Sequence, residues 1–183
     1  MLETGPVAGI RNLHPAYCSL LIRFDPLRTD HEMLESAVCD CVEQFDSVVS
    51  IESRTVEIPI RYGDEFGPDL EDVAKLHGIT SKEVVELHAS ATYTVYFLGF
   101  VPGFAYLGGL PEKIATPRRQ TPRKQVPQGS LGIAGNQTGI YPCSTPGGWQ
   151  IIGRTPLEMF RPNRENMSLL SIGDRVRFVP LCD

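Results

Sequence analysis

The chain has 183 residues, of which 42% are hydrophobic and 21% are charged, as is ordinary for a globular protein of one or two domains. Its net charge of −5 and pI near 5.4 argue against a general nucleic-acid binder, which usually carries a strongly basic face. The N-terminal stretch lacks the basic start and apolar run of a signal peptide, so we expect a cytoplasmic protein with reduced cysteines.

The N-terminal part of the chain predicts a small α+β unit. Residues 17–24 are rich in β-branched and aromatic side chains, which predicts a strand, whereas the segment before them is expected to be irregular. Thr29 and Glu32 have the spacing of a capping box, and an apolar stripe with helical spacing follows. Residues 48–51 predict another short strand. The chain is predicted to divide near residue 55 into two domains, residues 1–55 and 56–183.

The second domain is predicted to begin with a strand and two helices. Apolar residues alternate with polar or proline positions over residues 56–60, which predicts a strand. A helix is predicted over residues 69–77 and ends at Gly78. The next helix is expected to begin with a capping box formed by Thr80 and Glu83.

From residue 91 onward the pattern is that of β-structure, with Gly and Pro between the strands, which favours a barrel or sandwich with long loops. Residues 93–110 carry no charge and could span a bilayer, but Pro102 and several glycines favour strands and loops instead. The predicted strands are residues 93–98, 130–134, 139–141, 149–153 and 175–180.

The most unusual segment covers residues 97–154. It holds 11 of the 17 glycines and the only tryptophan, and its net charge is +5 against −10 for the rest of the chain. Glycine lets the backbone approach a ligand closely, and proline fixes the loops in advance. We therefore expect this segment to form a polar, basic cleft.

Three arginines of this segment, Arg118, Arg119 and Arg123, lie among prolines that impose an extended backbone. Such arginines can present planar forks to a carboxylate or phosphate, although a solvated positive loop is the alternative. A polar turn over residues 135–139 suits an amide or urea-like ligand, or is simply a hairpin turn. Trp149 is either a core residue or a pocket wall.

The sequence offers little support for nucleotide-loop, nucleophilic or metal chemistry. It contains no G-x-G-x-x-G, G-K-[ST], G-x-S-x-G, H-E-x-x-H or C-x-x-C pattern. All four histidines lie outside the basic segment. No metal site is expected, and no catalytic residue is assigned.

Three ordered stretches resemble the allophanate hydrolase subunit 1 family: GFVPGFAYLGGL, TPRRQTPRKQVPQGSLGIAGNQTGIYP and STPGGWQIIGRTP. The resemblance covers about residues 16–180. The family includes the B-type subunit of bacterial 5-oxoprolinase and a Kip-type inhibitor of a sporulation histidine kinase, and it is similar to part of the carboxyltransferase region of urea carboxylase.

The resemblance implies an α+β chain, with a partial ferredoxin-like domain whose sheet keeps an open edge, followed by a cyclophilin-like β-barrel. It implies a component of an ATP-dependent amide or lactam hydrolase, above all of the 5-oxoprolinase type, which opens the lactam of 5-oxoproline to glutamate. ATP would be consumed by the complex, at a site that the sequence does not locate. The implied partners are a second barrel-like protein, similar to allophanate hydrolase subunit 2 or to the C-type subunit of 5-oxoprolinase, and an A-type subunit. The alternative is a regulator that binds a sporulation-type histidine kinase.

The motifs that carry the resemblance also supply the predicted binding site for a small anionic amide or lactam. Arg118 and Arg123 are expected to bind the anion, and polar groups of the 135–141 turn are expected to face the amide. The predicted site consists of Pro102, Gly103, Phe104, Tyr106, Arg118, Arg119, Arg123, Gln137, Thr138, Tyr141, Trp149 and Arg154.

Overall fold

The computed structural model describes residues 7–43 and 53–181. The chain divides into two compact units, Met1–Glu52 and Ser53–Asp183, and each is described by itself. The four cysteines within the described ranges are unpaired thiols. Within these ranges no helix is both long enough and apolar enough to cross a membrane.

The first unit contains an antiparallel hairpin of β1 (Ile10–Pro15) and β2 (Leu20–Phe24), followed by α1 (His31–Glu43). The prediction that the segment before residue 17 is irregular is therefore wrong. Only Ile10 and Leu13 of β1 are even half-buried, so the strand has almost no apolar alternation that could reveal it. Its extended form depends on pairing with β2 instead.

The start of α1 also differs from the prediction. The side chain of Asp30 accepts a hydrogen bond from the backbone N–H of Met33 at 2.9 Å, which is the geometry of an N-cap. The predicted capping box of Thr29 and Glu32 is therefore wrong, because the helix begins one position later than that pair requires. The strand predicted over residues 48–51 lies outside the described residues. The ferredoxin-like class of this unit stays a prediction.

The second unit is built around a closed barrel of seven strands, which confirms the prediction of a β-barrel. Its strands are β3 (Thr55–Tyr62), β4 (Thr92–Leu98), β5 (Ala105–Gly108), β7 (Ser130–Ala134), β8 (Gln137–Ile140), β10 (Gln150–Arg154) and β11 (Arg175–Pro180). The order around the barrel is β3, β11, β4, β5, β8, β7 and β10, which closes on β3. β3 and β11 are parallel, and the other neighbours are antiparallel. β6 (Arg123–Val126) and β9 (Thr145–Gly147) form a separate two-stranded sheet.

Two helices, α2 (Leu70–His77) and α3 (Ser81–Ser90), connect β3 to β4. α2 ends where Gly78 adopts a left-handed backbone with φ 64°, as predicted. α3 begins with the predicted capping box, in which Thr80 and Glu83 bond each other's backbone N–H groups. A short 3-10 helix, Glu112–Ile114, follows β5.

The barrel wall separates two apolar cores. All five residues of β7 are buried, because Leu131 and Ile133 point into the barrel while Ala134 belongs to a second cluster on the outer face. This outer cluster contains Phe104, Val126, Ala134, Tyr141, Trp149 and Ile151. Since Val126 lies on β6, the small β6–β9 sheet helps to cover the outer core and brings the basic segment against it.

Candidate functional site

A cavity of about 300 Å³ lies on the outer side of the barrel wall, against the outer core. Aromatic rings form its floor and arginines stand at its side. Six of the twelve predicted site residues line it: Phe104, Tyr106, Arg118, Arg119, Tyr141 and Trp149. The other lining residues were not among the predicted site residues; they are Phe100, Pro122, Pro146, Gly147 and Gly148.

Phe104 is the centre of the aromatic floor. Its ring meets the rings of Tyr106, Tyr141 and Trp149 edge to face, with centroids 4.9, 5.3 and 5.4 Å apart. Edge-to-face contacts of this kind hold rings in fixed orientations. Gly139 makes room for them, since a Cβ atom there would lie 2.8 Å from the Ala105 carbonyl oxygen and 3.2 Å from the Phe104 ring.

Tyr141 brings a phenol hydroxyl to the cavity. Burial raises the pKa of this phenol, while the backbone N–H of Trp149 and the charges of Arg118 and Arg123 oppose the rise. The hydroxyl is therefore protonated at neutral pH, and its proton can be donated to a ligand in the cavity. Gly147 lies directly above it, where a Cβ atom would collide with the hydroxyl.

Two of the three arginines share one buried carboxylate, that of Asp69. Arg119 Nη1 and Arg123 Nη2 donate to Asp69 Oδ1 at 2.8 and 2.6 Å, and the Ile151 backbone N–H donates to Oδ2 at 2.6 Å. Asp69 is only 2% exposed and immediately precedes α2. The sequence analysis missed this role, because Asp69 is 50 residues or more from its arginines and no local pattern links them.

Arg118 differs from its neighbours. It is exposed, lines the cavity, and has no carboxylate partner within the described ranges. The Nε atom of Arg119 is buried and the described part of the protein offers it no acceptor. Three arginines with one carboxylate between them leave a net charge of +2 at this side of the cavity, and Arg118 presents an unpaired guanidinium to a ligand.

The other six predicted residues do not line the cavity. Pro102 and Gly103 lie in a separate hollow of the β4–β5 loop, and Arg123 is held by Asp69. The guanidinium of Arg154 lies 5.6 Å from the centroid of the Phe66 ring. Gln137 is half-buried away from the cavity.

Thr138 lies inside the barrel, in a buried hydrogen-bond chain. Its hydroxyl donates to the Gly132 carbonyl at 2.9 Å, so it must accept from His88 Nε2, 3.0 Å away. His88 Nδ1 is then unprotonated and accepts from the Tyr62 hydroxyl at 2.9 Å. Burial lowers the pKa of His88 to about 3, so the imidazole is neutral.

Three larger clefts are weaker candidates. The smallest of them, of about 330 Å³, is lined by Glu83, Glu86 and Lys113 and so has a net negative charge. In the cleft of about 390 Å³ beside Arg54, that arginine binds Asp174 at 2.5 Å and Arg161 pairs with Glu158, so most of its charge is already neutralised. The groove of about 430 Å³ in the first unit has mainly apolar walls between β2 and α1. Among these cavities of residues 7–43 and 53–181, the aromatic one combines a rigid floor with an unpaired cation.

The cavity is suited to bind a small, flat, anionic molecule. Its rings can pack against a ligand face, Arg118 can bind a carboxylate, and Tyr141 can donate to a carbonyl. The residues that line it include no carboxylate, imidazole or thiol, so they provide no general base. The described ranges also contain no group of three or more His, Cys, Asp or Glu residues that could hold a metal ion.

Comparison with known proteins shows the family to which the chain belongs. A family model described as "Carboxyltransferase domain, subdomain C and D" matches residues 1–170, and the chain belongs to this family. The B-type subunit of the 5-oxoprolinase of Bacillus subtilis (strain 168) is 42% identical over 196 residues, which cover 100% of this chain and 80% of that protein. Its counterpart of the same name in Escherichia coli O157:H7 is 53% identical over 152 residues, which cover 80% of this chain and 70% of that protein.

A solved structure is also similar to this chain in both sequence and fold. The crystal structure of a conserved uncharacterized protein from Pyrococcus horikoshii is 48% identical, with a TM-score of 0.68. The match covers 98% of this chain and 82% of that one. The family resemblance found in the sequence is therefore confirmed.

Proposed function

We propose that this chain is the B-type subunit of an ATP-dependent 5-oxoprolinase, a complex that opens the lactam of 5-oxoproline to give glutamate. The observation that carries the proposal is its identity of 42% and 53% with the B-type subunits of two 5-oxoprolinases, across most of the chain. The alternative of a histidine-kinase inhibitor gains no support from these relatives.

The chemistry of the cavity supports this substrate. 5-Oxoproline has a carboxylate, a nearly flat five-membered ring and an amide. Arg118 is the one arginine of the three that does not bond to Asp69, so we assign it the carboxylate. The Tyr141 hydroxyl is assigned the lactam carbonyl, and the rings of Phe104 and Trp149 are assigned the face of the lactam.

Catalysis requires groups beyond this cavity. Phosphorylation of the lactam oxygen by ATP, with release of ADP, would activate the ring carbon towards water. The C–N bond then breaks, and hydrolysis of the phosphoryl group releases inorganic phosphate and glutamate. Because the residues that line the cavity include no general base, we expect a partner to supply it together with the ATP site. The expected partners are a second barrel-like protein, similar to allophanate hydrolase subunit 2 or to the C-type subunit of 5-oxoprolinase, and an A-type subunit.

The proposal extends to architecture and location. It assigns residues 1–55 to a partial ferredoxin-like domain and residues 56–183 to a cyclophilin-like barrel. It also places the complex in the cytoplasm. Limited proteolysis that fails to separate fragments near residue 55 would contradict the domain assignment.

The direct test is reconstitution of the complex with its partner subunits, followed by measurement of ATP-dependent glutamate release from 5-oxoproline. Arg118→Ala removes the cation that we assign to the substrate carboxylate. Loss of a charge-assisted hydrogen bond should raise KM for 5-oxoproline about 10- to 100-fold.

Lys124→Ala is the matched control, because Lys124 is an exposed cation of the same segment that does not line the cavity. It should leave KM within a factor of two of the wild-type value. An Arg118→Ala complex with unchanged KM would remove Arg118 from the site. A wild-type complex that releases no glutamate would refute the proposed function itself.

A further inference from the structure

Phe100, on the loop between β4 and β5, combines a strained backbone with an exposed ring. Its φ of 71° lies in the left-handed region, which costs about 1–2 kcal/mol for a residue with a side chain. The other described non-glycine residue with positive φ is Asp64, whose short polar side chain tolerates that conformation. Phe100 is also 59% exposed, so burial of its ring does not offset the strain.

The surrounding loop fixes this conformation through its backbone. Gly99 N–H donates to the Phe104 carbonyl at 3.1 Å, and Phe104 N–H donates to the Val101 carbonyl at 3.0 Å. Val101 N–H in turn donates to the Gly99 carbonyl at 2.9 Å. Strain that is held in place by its surroundings is typical of positions at functional sites.

The ring of Phe100 extends the aromatic floor to the mouth of the cavity. It meets the Phe104 ring edge to face, with centroids 5.6 Å apart and planes at 83°. It lines the cavity together with Arg118 and Arg119, so one side of the ring borders the space where a ligand would lie. The residue was not part of the site predicted from the sequence.

We infer that Phe100 is a specificity-determining residue, whose ring forms the outer wall against which the flat ring of a bound cyclic amide packs. The inference rests on the proposed function. A wall of this kind favours a closed, flat ligand over an open-chain amide of the same composition, because only the flat ring offers a continuous face to the phenyl group. Phe100 thus makes the site bind 5-oxoproline more tightly than flexible acids, which Arg118 alone would bind equally well.

The test compares binding of 5-oxoproline and of glutamine, an open-chain amide, to the reconstituted complex without ATP, by isothermal titration, for wild type and variants. The preference for 5-oxoproline over glutamine should shrink in Phe100→Ala, and an unchanged preference would overturn the inference. Phe100→Ala should weaken Kd about 3- to 10-fold, as expected for loss of one aromatic contact. Phe100→Tyr should retain the wild-type Kd within a factor of two. Ile172→Ala is the control, since Ile172 is 49% exposed and lies outside the cavity.

Phe100→Gly separates the ring from the backbone. Glycine relieves the left-handed strain that Ala keeps, so Phe100→Gly should melt about 2–4 °C above Phe100→Ala. If the ring provides the affinity, both variants should bind 5-oxoproline equally weakly. Binding by Phe100→Gly at the wild-type Kd would overturn the inference.

Three further outcomes are distinguishable. If wild type binds 5-oxoproline and Phe100→Ala binds it equally well, the inference is overturned and the proposed function stands. The same holds if the Phe100→Ala chain no longer assembles with the partner subunits, which would assign the ring to an interface within the complex. If the wild-type complex itself fails to bind 5-oxoproline, the proposed function falls, and the inference with it.

Discussion

At the scale of single residues, one buried carboxylate decides how the arginines of the basic segment divide their roles. Asp69 binds Arg119 and Arg123 through the same oxygen, and its other oxygen accepts the Ile151 backbone N–H. This fastens the proline-rich segment to strand β10 of the barrel. Arg118 is left unpaired beside the cavity because its two neighbours, and not it, reach the carboxylate.

Asp69→Asn should therefore destabilise the protein and disturb the cavity. It removes the only carboxylate that is described as bound to Arg119 and Arg123, and leaves their guanidinium groups partly buried. Loss of one partner from a fully buried ion pair costs about 3–5 kcal/mol, and because Arg119 keeps 35% exposure we expect about 2–3 kcal/mol. Urea unfolding monitored by circular dichroism measures the change.

Glu71→Ala on α2 is the control for this variant. Glu71 pairs with Lys75 at 3.7 Å, but both side chains are more than 70% exposed, so its loss should cost less than about 0.5 kcal/mol. If the two variants unfold at the same urea concentration, Asp69 does not fasten the segment as described.

The arginines also show what the sequence can and cannot predict about the site. Their spacing among prolines indicates an extended, cationic segment, and Arg123 does begin strand β6. Nothing in that spacing tells which arginine meets a carboxylate, because the carboxylate lies on a distant part of the chain. Likewise Thr138 and Gln137 look equivalent in a polar turn, but alternation along β8 turns Thr138 into the barrel interior.

At the scale of elements, the outer face of β7 and β8 is flattened by glycine so that aromatic rings can lie against it. A Cβ atom on Gly132 would lie 3.0 Å from Trp149 Cβ, and one on Gly139 would lie 2.8 Å from the Ala105 carbonyl oxygen. The inner faces of the same strands carry Leu131, Ile133 and Ile140 into the barrel core. One pair of strands thus supports both the fold and the cavity.

Gly139→Ala should displace this aromatic floor. The new methyl group meets a backbone carbonyl, which cannot move aside as a flexible side chain would, so we expect a loss of about 1–3 kcal/mol. The emission of Trp149, the only tryptophan, should shift because its ring lies 3.3 Å from the added atom. Gly148→Ala is the stability control, since its Cβ would meet Pro122 at an ordinary 3.6 Å. Equal melting temperatures for the two variants would contradict the steric argument.

Strands and helices were predicted correctly where the apolar pattern lies within the segment itself. Strand β7 and helices α2 and α3 follow from alternation or helical spacing together with their caps. The short strands β5, β6 and β9 were not predicted, because three or four residues carry too little periodicity. Their extended form is fixed by pairing: β6 with β9, which lies beyond β7 and β8 in the chain, and β5 mainly with the preceding β4.

At the scale of the whole molecule, the barrel encloses an imidazole that it keeps neutral. His88 is completely buried, stacks on Phe178 with ring centroids 4.8 Å apart, and bonds Tyr62 and Thr138 through its two nitrogens. The hydroxyl of Tyr93 donates to the backbone carbonyl of His88. No carboxylate is described as a partner of the ring, so nothing stabilises a protonated imidazole in the folded state.

The barrel should therefore lose stability in mild acid. Burial lowers the pKa of His88 to about 3 in the folded protein, whereas the unfolded chain protonates it near 6.5. Above about pH 6.5 neither state binds the proton and the contribution is constant. Below about pH 6.5 only the unfolded state binds the proton, so the free energy of unfolding should fall by about 1.4 kcal/mol per pH unit until about pH 3.

Urea unfolding at intervals between pH 7 and pH 5 measures this slope before most carboxylates titrate. His88→Gln should reduce the slope, because glutamine binds no proton. His14→Gln, at an exposed position of β1, is the control and should keep the wild-type slope. Equal slopes for wild type and His88→Gln would show that the buried imidazole does not govern acid stability.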